Sequence, residues 1–172
     1  IAQLRYIYSM PVERIVKYFT ENGFDMDKGT AHGLLRKTET IFENLYKAMG
    51  LAVKEDDYLA GDETYHRVLV KVPGGKNSKK GYIWVVTAVH TGLVYYFYHD
   101  GSRAQDVILN YIGDYGGTFQ SAGFSPYRKM AKMLTRLACL QHVKRKFLDC
   151  DGDEEAQGIV GLINLFYQNE HK

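Results

Sequence analysis

The sequence contains few of the residues that cross-link or stiffen a chain. Among its 172 residues, only 3 are proline and 2 are cysteine. Two cysteines are too few for a disulfide scaffold, and no signal peptide precedes Ile1, so we expect a protein of the reducing cytoplasm. No hydrophobic run approaches the roughly 18 residues of a membrane-spanning helix, and no low-complexity tract indicates a disordered or fibrous chain.

The sequence does contain enough apolar residues for a core. Hydrophobic residues make up 45% of the chain and charged residues 24%, with a net charge of +2. This length and composition predict one compact domain with room for a small appendage. A pI near 8.4 permits a nucleic acid as partner without requiring one. Because the chain begins with Ile1 rather than Met, we expect a fragment of a longer protein.

The first part of the chain has a helical pattern. Apolar residues recur every three or four positions over residues 12–19 and again over 27–50, with Asn22-Gly23 between the two runs. We therefore predict a helical segment over residues 1–54. Two helices joined by a short glycine-containing turn resemble a DNA-binding helix-turn-helix, although a plain helical hairpin has the same pattern. Residues 54–57 are expected to form a solvent-exposed link.

Three β-rich segments follow this link. The first covers residues 58–62 and 67–72, with a bulge or kink at Gly61. The others cover 82–90 and 93–99, with Thr91-Gly92 as a tight turn between them. This pattern predicts an antiparallel meander of three strands.

Helices and strands alternate after the meander. The expected elements are a helix capped by Ser102, strands over 118–121 and 136–140, and helices over 127–134, 142–150 and 153–167. Strands that follow crossover helices should run parallel to the first strand. Residues 55–172 are therefore predicted to form an α/β domain of the ribonuclease H-like kind, a mixed five-stranded sheet with flanking helices.

Two adjacent acids, Asp62 and Glu63, interrupt the first strand. Successive side chains of a strand point to opposite faces, so only one of the two can face a given site. A carboxylate on a central strand needs compensation, from a divalent cation or, at a bulge, from backbone amides. A phosphoryl-transfer site on this fold also needs a carboxylate on the neighbouring parallel strand, to hold two Mg²⁺ ions about 4 Å apart. The run over 117–124 contains no acid, so the sequence supplies half of a carboxylate pair.

Five motifs in a fixed order resemble the insertion sequence sixty-six type of bacterial DDE transposase. They cover nearly the whole chain, and the run from Met10 to Arg14 looks like the helical segment that precedes the catalytic core in that family. The motifs are Asp62-Glu63-Thr64, the stretch from Gly81 to Val85 after a basic glycine loop, Gly101-Ser102-Arg103, the stretch from Gln120 to Tyr127, and the stretch from Cys139 to Phe147.

The resemblance implies metal-dependent cleavage of double-stranded DNA at transposon ends and strand transfer into target DNA. It also implies a cytoplasmic, nucleoid-associated protein that is a homodimer when full length. Asp62 corresponds to the first catalytic Asp, which is a metal ligand. Ala122 stands at the position of the second Asp, in a run that typically reads Gln-Thr-Asp-Gly-Tyr, and the third acid, a Glu, falls beyond Lys172. Glu170 is assigned no catalytic role.

Because the second and third acids are missing, we expect the chain to be a catalytic core that is incomplete at its C-terminal end. We expect it to be inactive and to bind no ion. Intact members of the family would use Mg²⁺ or Mn²⁺. One alternative is a non-catalytic DNA-binding or regulatory remnant of a transposase. Another is a ribonuclease or resolvase of the same fold.

Basic side chains supply candidate DNA contacts. Phosphate contacts from lysine and arginine give affinity without sequence information. The candidates are three lysines of the glycine-rich loop, Lys76, Lys79 and Lys80, and three residues that could line a DNA channel, Arg103, Lys144 and Arg145. A solvated loop tip explains the loop lysines equally well.

The Cys139-x-x-His142 motif and Cys150 invite comparison with a zinc site. Structural zinc needs four ligands, and the chain offers no second close pair. The default expectation is therefore a buried thiol and a histidine with satisfied hydrogen bonds.

Overall fold

The computed structural model describes residues 1–70, 77–101, 105–122, 134–150 and 152–170. The chain forms two compact units, Ile1–Ala48 and Met49–Lys172. Within the described ranges, no helix has the length and apolar character needed to cross a membrane.

The N-terminal region is helical. Its elements are α1 (Ala2–Tyr6), α2 (Val12–Glu21) and α3 (Lys28–Ala52). The carboxylate of Asp27 accepts a hydrogen bond from the backbone N–H of Thr30 at 2.6 Å, which satisfies one of the free amides at the start of α3. The two helices predicted in this region are therefore confirmed.

The apolar stripe predicted on α3 is covered only in part. Early in the helix, Leu35 is buried, but further along Ile41 is 75% exposed and Leu45 is 55% exposed. Four buried residues of the first unit form one small core, made of Val12, Met26, Ala31 and Leu35.

Five strands form the sheet of the second unit. They are β1 (Tyr58–Leu69), β2 (Ser78–Ala88), β3 (Val94–Asp100), β4 (Thr118–Ser121) and β5 (Thr135–Ala138). Their order in the sheet is β3-β2-β1-β4-β5. β2 runs antiparallel to β1 and to β3, whereas β4 runs parallel to β1 and to β5. The predicted meander and the predicted parallel strands are confirmed.

Helices accompany this sheet. A short 3₁₀ helix (Val53–Glu55) precedes it, and α4 (Gln105–Ile112), α5 (Leu140–Leu148) and α6 (Glu154–Glu170) lie between or after its strands. The predicted helix over 127–134 lies almost wholly outside the described residues. The core of the second unit includes strand residues and one face of α4, among them Leu59, Trp84, Val86, Ile108 and Phe119.

The predicted bulge at Gly61 is wrong. β1 pairs with β2 without interruption from Leu59 to Leu69, and Gly61 lies opposite Val86. A side chain at this position would collide with the ring of Phe119. The close approach of this ring, and not an irregular backbone, therefore explains the glycine.

The connection between β2 and β3 is longer than the predicted tight turn. β2 ends at Ala88, two residues earlier than predicted. Beyond it, the N–H groups of His90 and Thr91 donate to the carboxylate of Asp56, at 3.0 and 2.9 Å. Asp56 is only 6% exposed, so the prediction of a solvent-exposed link over 54–57 is wrong at this residue.

Candidate active site

The side chain of Asp62 lies on the face of the sheet opposite the core. Leu59 and Gly61 of β1 are buried on the core side, so strand alternation directs Asp62 to the other face. A cavity of about 190 Å³ lies there, and the neighbouring acid Glu63 does not line it. The lining residues are Ala60, Gly61, Asp62, Val85, Thr87, Gln120, Ser121, Cys139 and His142.

The carboxylate of Asp62 is held on one side and open on the other. Its Oδ1 accepts a hydrogen bond from the backbone N–H of Glu63 at 2.9 Å. Its Oδ2 lies 3.8 Å from Nε2 of His142. Because half of the side chain is exposed, the carboxylate remains accessible to a ligand in the cavity.

The topology of the sheet brings His142 to this carboxylate. β4 and β5 run parallel to β1, and their last residues are level with Gly61. α5 begins directly after β5, which places His142 in its first turn at the same end of the sheet. The Nδ1 atom of His142 is buried and has no hydrogen-bond partner among the described residues. The sequence identifies Asp62 and His142 separately and does not place them at one site. The predicted parallel order of β1, β4 and β5 does indicate that the ends of these strands lie at the same edge of the sheet.

Gln120 of β4 presents a fixed amide to the same cavity. The hydroxyl of Tyr58 donates to its Oε1 atom, and Ala60 is its register partner in β1. Since the amide oxygen is engaged in this way and the NH₂ group has no hydrogen-bond partner among the described residues, the NH₂ group can donate to a ligand.

Asp62 is the single carboxylate among the described residues that line the cavity. Mg²⁺ is commonly bound through one or two carboxylates together with water and substrate phosphates, so Asp62 can hold one divalent ion weakly. A second ion would need another carboxylate at the end of β4, and Ser121 and Ala122 offer none. These residues therefore fit one ion and not the two-ion arrangement of phosphoryl transfer.

A second cluster of titratable groups lies at the start of β1. Nδ1 of His90 is 3.0 Å from Oδ1 of Asp56 and 2.8 Å from Oδ1 of Asp57. Ligand atoms of these three residues lie within 4.8 Å of one another, a spacing that a metal ion would accept. However, the buried carboxylate of Asp56 already accepts hydrogen bonds from the N–H groups of Tyr58, His90 and Thr91. The cluster is thus a structural anchor that joins β1 to the connection after β2.

The pKa values in this anchor are shifted in opposite directions. Burial raises the pKa of Asp56, but hydrogen bonds from the N–H groups of Tyr58 and Thr91 and from His90 outweigh this effect and lower it to about 2. The pKa of His90 is raised, above all by its hydrogen bond to Asp56 and also by the charge of Asp57. The pairing therefore favours the ionised form of Asp56 and the protonated form of His90, each relative to the free side chain.

The candidate DNA-contact residues lie on two elements. Lys79 of β2 forms an ion pair with Asp100, which also accepts a hydrogen bond from Tyr98 at 2.7 Å. Lys80 is exposed on the same strand. On α5, the helix that carries His142, Lys144 is half-buried and Arg145 is exposed. Lys76 and Arg103 lie outside the described residues.

The cysteines do not behave as expected for buried thiols. Cys139 is half-buried and lines the cavity, whereas Cys150 is exposed and its thiol lies 3.5 Å from the carbonyl of Lys146. The expectation of a histidine with satisfied hydrogen bonds is also wrong, because one ring nitrogen of His142 is buried without a partner among the described residues.

A larger hollow lies elsewhere and lacks comparable chemistry. It measures about 570 Å³ and is lined by residues of α3 alone, among them Arg36, Glu39 and Glu43. A surface that follows one helix cannot bring together groups from several elements. Another hollow, of about 530 Å³, lies among α1, α2 and α3, and Glu39 supplies the one carboxylate among the described residues that line it. The smaller cavity beside Asp62 joins β1, β2, β4 and α5 and contains the acid of the Asp-Glu-Thr motif, and we take it as the candidate active site.

The fold and the site define a class of protein. A mixed five-stranded sheet flanked by helices, with a carboxylate on its central strand facing a cavity, is the arrangement of the ribonuclease H-like α/β fold. A family model described as Transposase IS66 family matches residues 1–172, and the chain belongs to this family. The resemblance drawn from the five motifs is thus confirmed. Among curated proteins, none matches the chain.

Proposed function

We propose that this chain is a metal-dependent DNA transposase core whose active site, at Asp62, lacks its second carboxylate. In this proposal the chain neither cleaves DNA nor joins it. Membership of the family supports the transposase role. The predicted lack of activity rests on one observation, which is that Ala122 follows β4 where a second carboxylate is needed.

The pairing of β1 with β4 supports this view of position 122. The last register pair of the two strands is Gly61 with Ser121, so the next residue of each strand is Asp62 and Ala122. Continued strand alternation would direct both side chains to the face that carries the cavity. The methyl group of Ala122, which is 5% exposed, supplies no ligand for a divalent ion. One carboxylate holds such an ion only weakly, which leaves the second ion position without protein ligands.

Double-stranded DNA is the partner that this proposal requires. The basic residues of α5 and of β2 would contact phosphates, since Lys80 and Arg145 are exposed. We also propose that the full-length protein is a homodimer, because the exposed apolar residues Ile41 and Leu45 on α3 offer an interface. Light scattering of the full-length protein tests the dimer.

A second candidate function is a DNA-binding or regulatory remnant that has no catalytic partner. The alanine at position 122 favours it over an active enzyme, and the helical pair of the first unit supplies a possible DNA-binding element. In this case the chain would occupy transposon ends without cutting them.

Incubation with labelled transposon-end duplexes tests the proposed function. With Mg²⁺ or Mn²⁺, we expect binding but neither nicking nor joining, and Asp62→Ala should change nothing in the products. Metal-dependent nicking that disappears in Asp62→Ala would overturn the proposal, because it would mean that another acid completes the site. The absence of any DNA binding would argue against both candidate functions.

A further inference from the structure

The contact between His142 and Asp62 joins two elements at the candidate active site. Nε2 of His142 lies 3.8 Å from Oδ2 of Asp62, and the histidine side chain is only 28% exposed. This separation lies within ion-pair range but is longer than a hydrogen bond, so a shift of about 1 Å would close it to one. Both residues line the same cavity.

The surroundings of the imidazole favour a proton on Nε2. Nδ1 is buried and has no partner among the described residues, so a proton there would leave a buried donor unpaired. A bare Nε2 would also present its lone pair to the negative oxygen of Asp62. With the proton on Nε2, the ring donates toward Oδ2 and both penalties are avoided.

We propose that His142 is a positioning residue of the transposase site, which holds Oδ2 of Asp62 while the N–H of Glu63 holds Oδ1. A carboxylate has about four lone-pair positions, so two donors leave two of them free for a ligand in the cavity. Once the His142 contact shortens from 3.8 Å to a hydrogen bond, both oxygens of Asp62 are held and its side chain keeps one orientation before a ligand arrives. The inference rests on the proposed function, since it assumes that Asp62 is a ligand.

His142 is suited to this task by its location. It lies in the first turn of α5, directly after β5, and therefore on a part of the fold whose position follows from the parallel strands. Donors that orient a ligating carboxylate usually change metal affinity by 10-fold to 100-fold when they are removed. For a carboxylate that is half exposed, we expect the lower end of this range.

NMR spectroscopy of the metal-free full chain tests the contact itself. The ¹³C resonance of the Asp62 carboxylate should move in His142→Leu, and it should stay in His99→Leu. His99 is the matched control, because its Nδ1 is also buried without a partner among the described residues but it lies on β3, away from the cavity. An unmoved resonance in His142→Leu would overturn the inference. His142→Asn, whose side chain is too short to reach Oδ2, replaces His142→Leu if the latter does not fold.

Mn²⁺ titration of the Ala122→Asp chain tests the positioning role. Adding His142→Leu should weaken Mn²⁺ binding by about 10-fold, and His142→Gln, which keeps an N–H donor at a similar reach, should restore most of it. Equal affinity with and without His142, or tighter binding without it, would overturn the inference. If Ala122→Asp alone gains no affinity for Mn²⁺ while the NMR shift is present, the proposed function fails at position 122 and the contact stands.

Discussion

Two aspartates close together in the sequence, Asp56 and Asp62, have opposite environments. The carboxylate of Asp56 is buried and accepts hydrogen bonds from three backbone amides. The carboxylate of Asp62 accepts one, from Glu63, and faces a cavity. A carboxylate whose lone pairs are already used stabilises the fold, whereas one with free lone pairs can bind a ligand. This difference distinguishes Asp56, an anchor that precedes β1, from Asp62, a candidate ligand on β1.

Ala122→Asp should create a paired carboxylate site. Without metal, two carboxylates close together repel, so the variant should be slightly less stable and one of the two pKa values should be raised. Mn²⁺ binds the folded state preferentially and would remove this repulsion, giving about 2.7 kcal/mol of stabilisation at 100 times its Kd. Thermal melts of both chains, with and without Mn²⁺, measure the effect.

In these melts, the unsubstituted chain with Ala122 is the control. The unsubstituted chain should respond to Mn²⁺ much less than the Ala122→Asp variant, because it offers one carboxylate. An equal response of the two chains would mean that position 122 does not belong to a metal site.

The anchor formed by Asp56 and His90 should make stability depend on pH. The pKa of Asp56 is lowered to about 2 in the folded state, so its contribution is present above its usual value of 3.8 and is lost as the pH falls toward 2. The pKa of His90 is raised from 6.5, so its contribution is complete below that value and is lost as the pH rises through the higher folded-state value. The melting temperature should therefore be highest between about pH 4 and 6.5, other groups being equal.

His90→Gln separates the two effects. The variant should lose the decline on the alkaline side, since glutamine does not titrate, and should keep the decline on the acidic side. Melts from about pH 2 to pH 9 measure both. A wild-type alkaline decline that persists unchanged in His90→Gln would show that another group causes it.

At the residue scale, sequence predicted the ligand candidate but not its surroundings. Strand alternation limited the candidates to Asp62 or Glu63, and the resemblance to the transposase family selected Asp62 and showed that Ala122 stands where a second Asp is expected. Its contact with His142 depends on how β5 and α5 follow the parallel strands, which a single sequence indicates only through topology. The burial of Asp56 was missed because a run of charged residues usually indicates exposure to solvent, and because its distant partners His90 and Thr91 follow β2.

The elements that carry the site are held in register by close packing. Gly61 lies where β1, β2 and β4 meet, opposite Val86 and Ser121. The ring of Phe119 occupies the space that a side chain at position 61 would need. Close contact at this point fixes β4 against β1 next to the cavity.

Gly61→Ala should destabilise the second unit by about 1–3 kcal/mol, because the added methyl group forces Phe119 and the strand to shift. Gly158→Ala is the matched control. Gly158 is an exposed residue of α6 with nothing within 4 Å of the added Cβ, so the substitution should stabilise the chain by about 0.5–1 kcal/mol. Urea denaturation of both variants gives the two values. A Gly61→Ala chain as stable as the wild type would contradict the packing described for this strand.

At the element scale, the order and direction of the strands could be predicted because each crossover helix separates strands that must run parallel. The exact ends of β1 and β2 could not. A glycine within a strand usually indicates a bulge, and only the position of the Phe119 ring shows that Gly61 is needed for close packing. The early end of β2 follows from hydrogen bonds to Asp56, which no local pattern reports.

On the scale of the whole molecule, the charge that could meet DNA is concentrated in few places. The net charge is only +2, so long-range attraction is modest and individual basic residues decide the affinity. Lys79 is already paired with Asp100. Among the described residues, no ion pair engages Lys144 or Arg145, which lie on α5 beside the cavity.

Lys144→Gln combined with Arg145→Gln should weaken DNA binding and lower its salt dependence. Each phosphate contact contributes about 0.9 to the slope of log K against log salt, so losing two should reduce the slope by up to about 1.8. Lys79→Gln should change it much less, because the charge of Lys79 is largely compensated by Asp100. Fluorescence anisotropy at several salt concentrations measures these slopes, and an equal effect of the two substitutions would contradict this assignment.

The parallel pairing of β1 with β4 also bears on the order in which the fold is completed. β1 and β2 pair over a short connection, as between Leu69 and Ser78, whereas Tyr58 pairs with Thr118, far along the chain. Closing a longer loop costs more entropy, and pairings between distant segments slow folding, so we expect the meander to form before β4, β5 and α5 join it. A chain caught partway through folding would hold Asp62 on its strand and still have no cavity beside it.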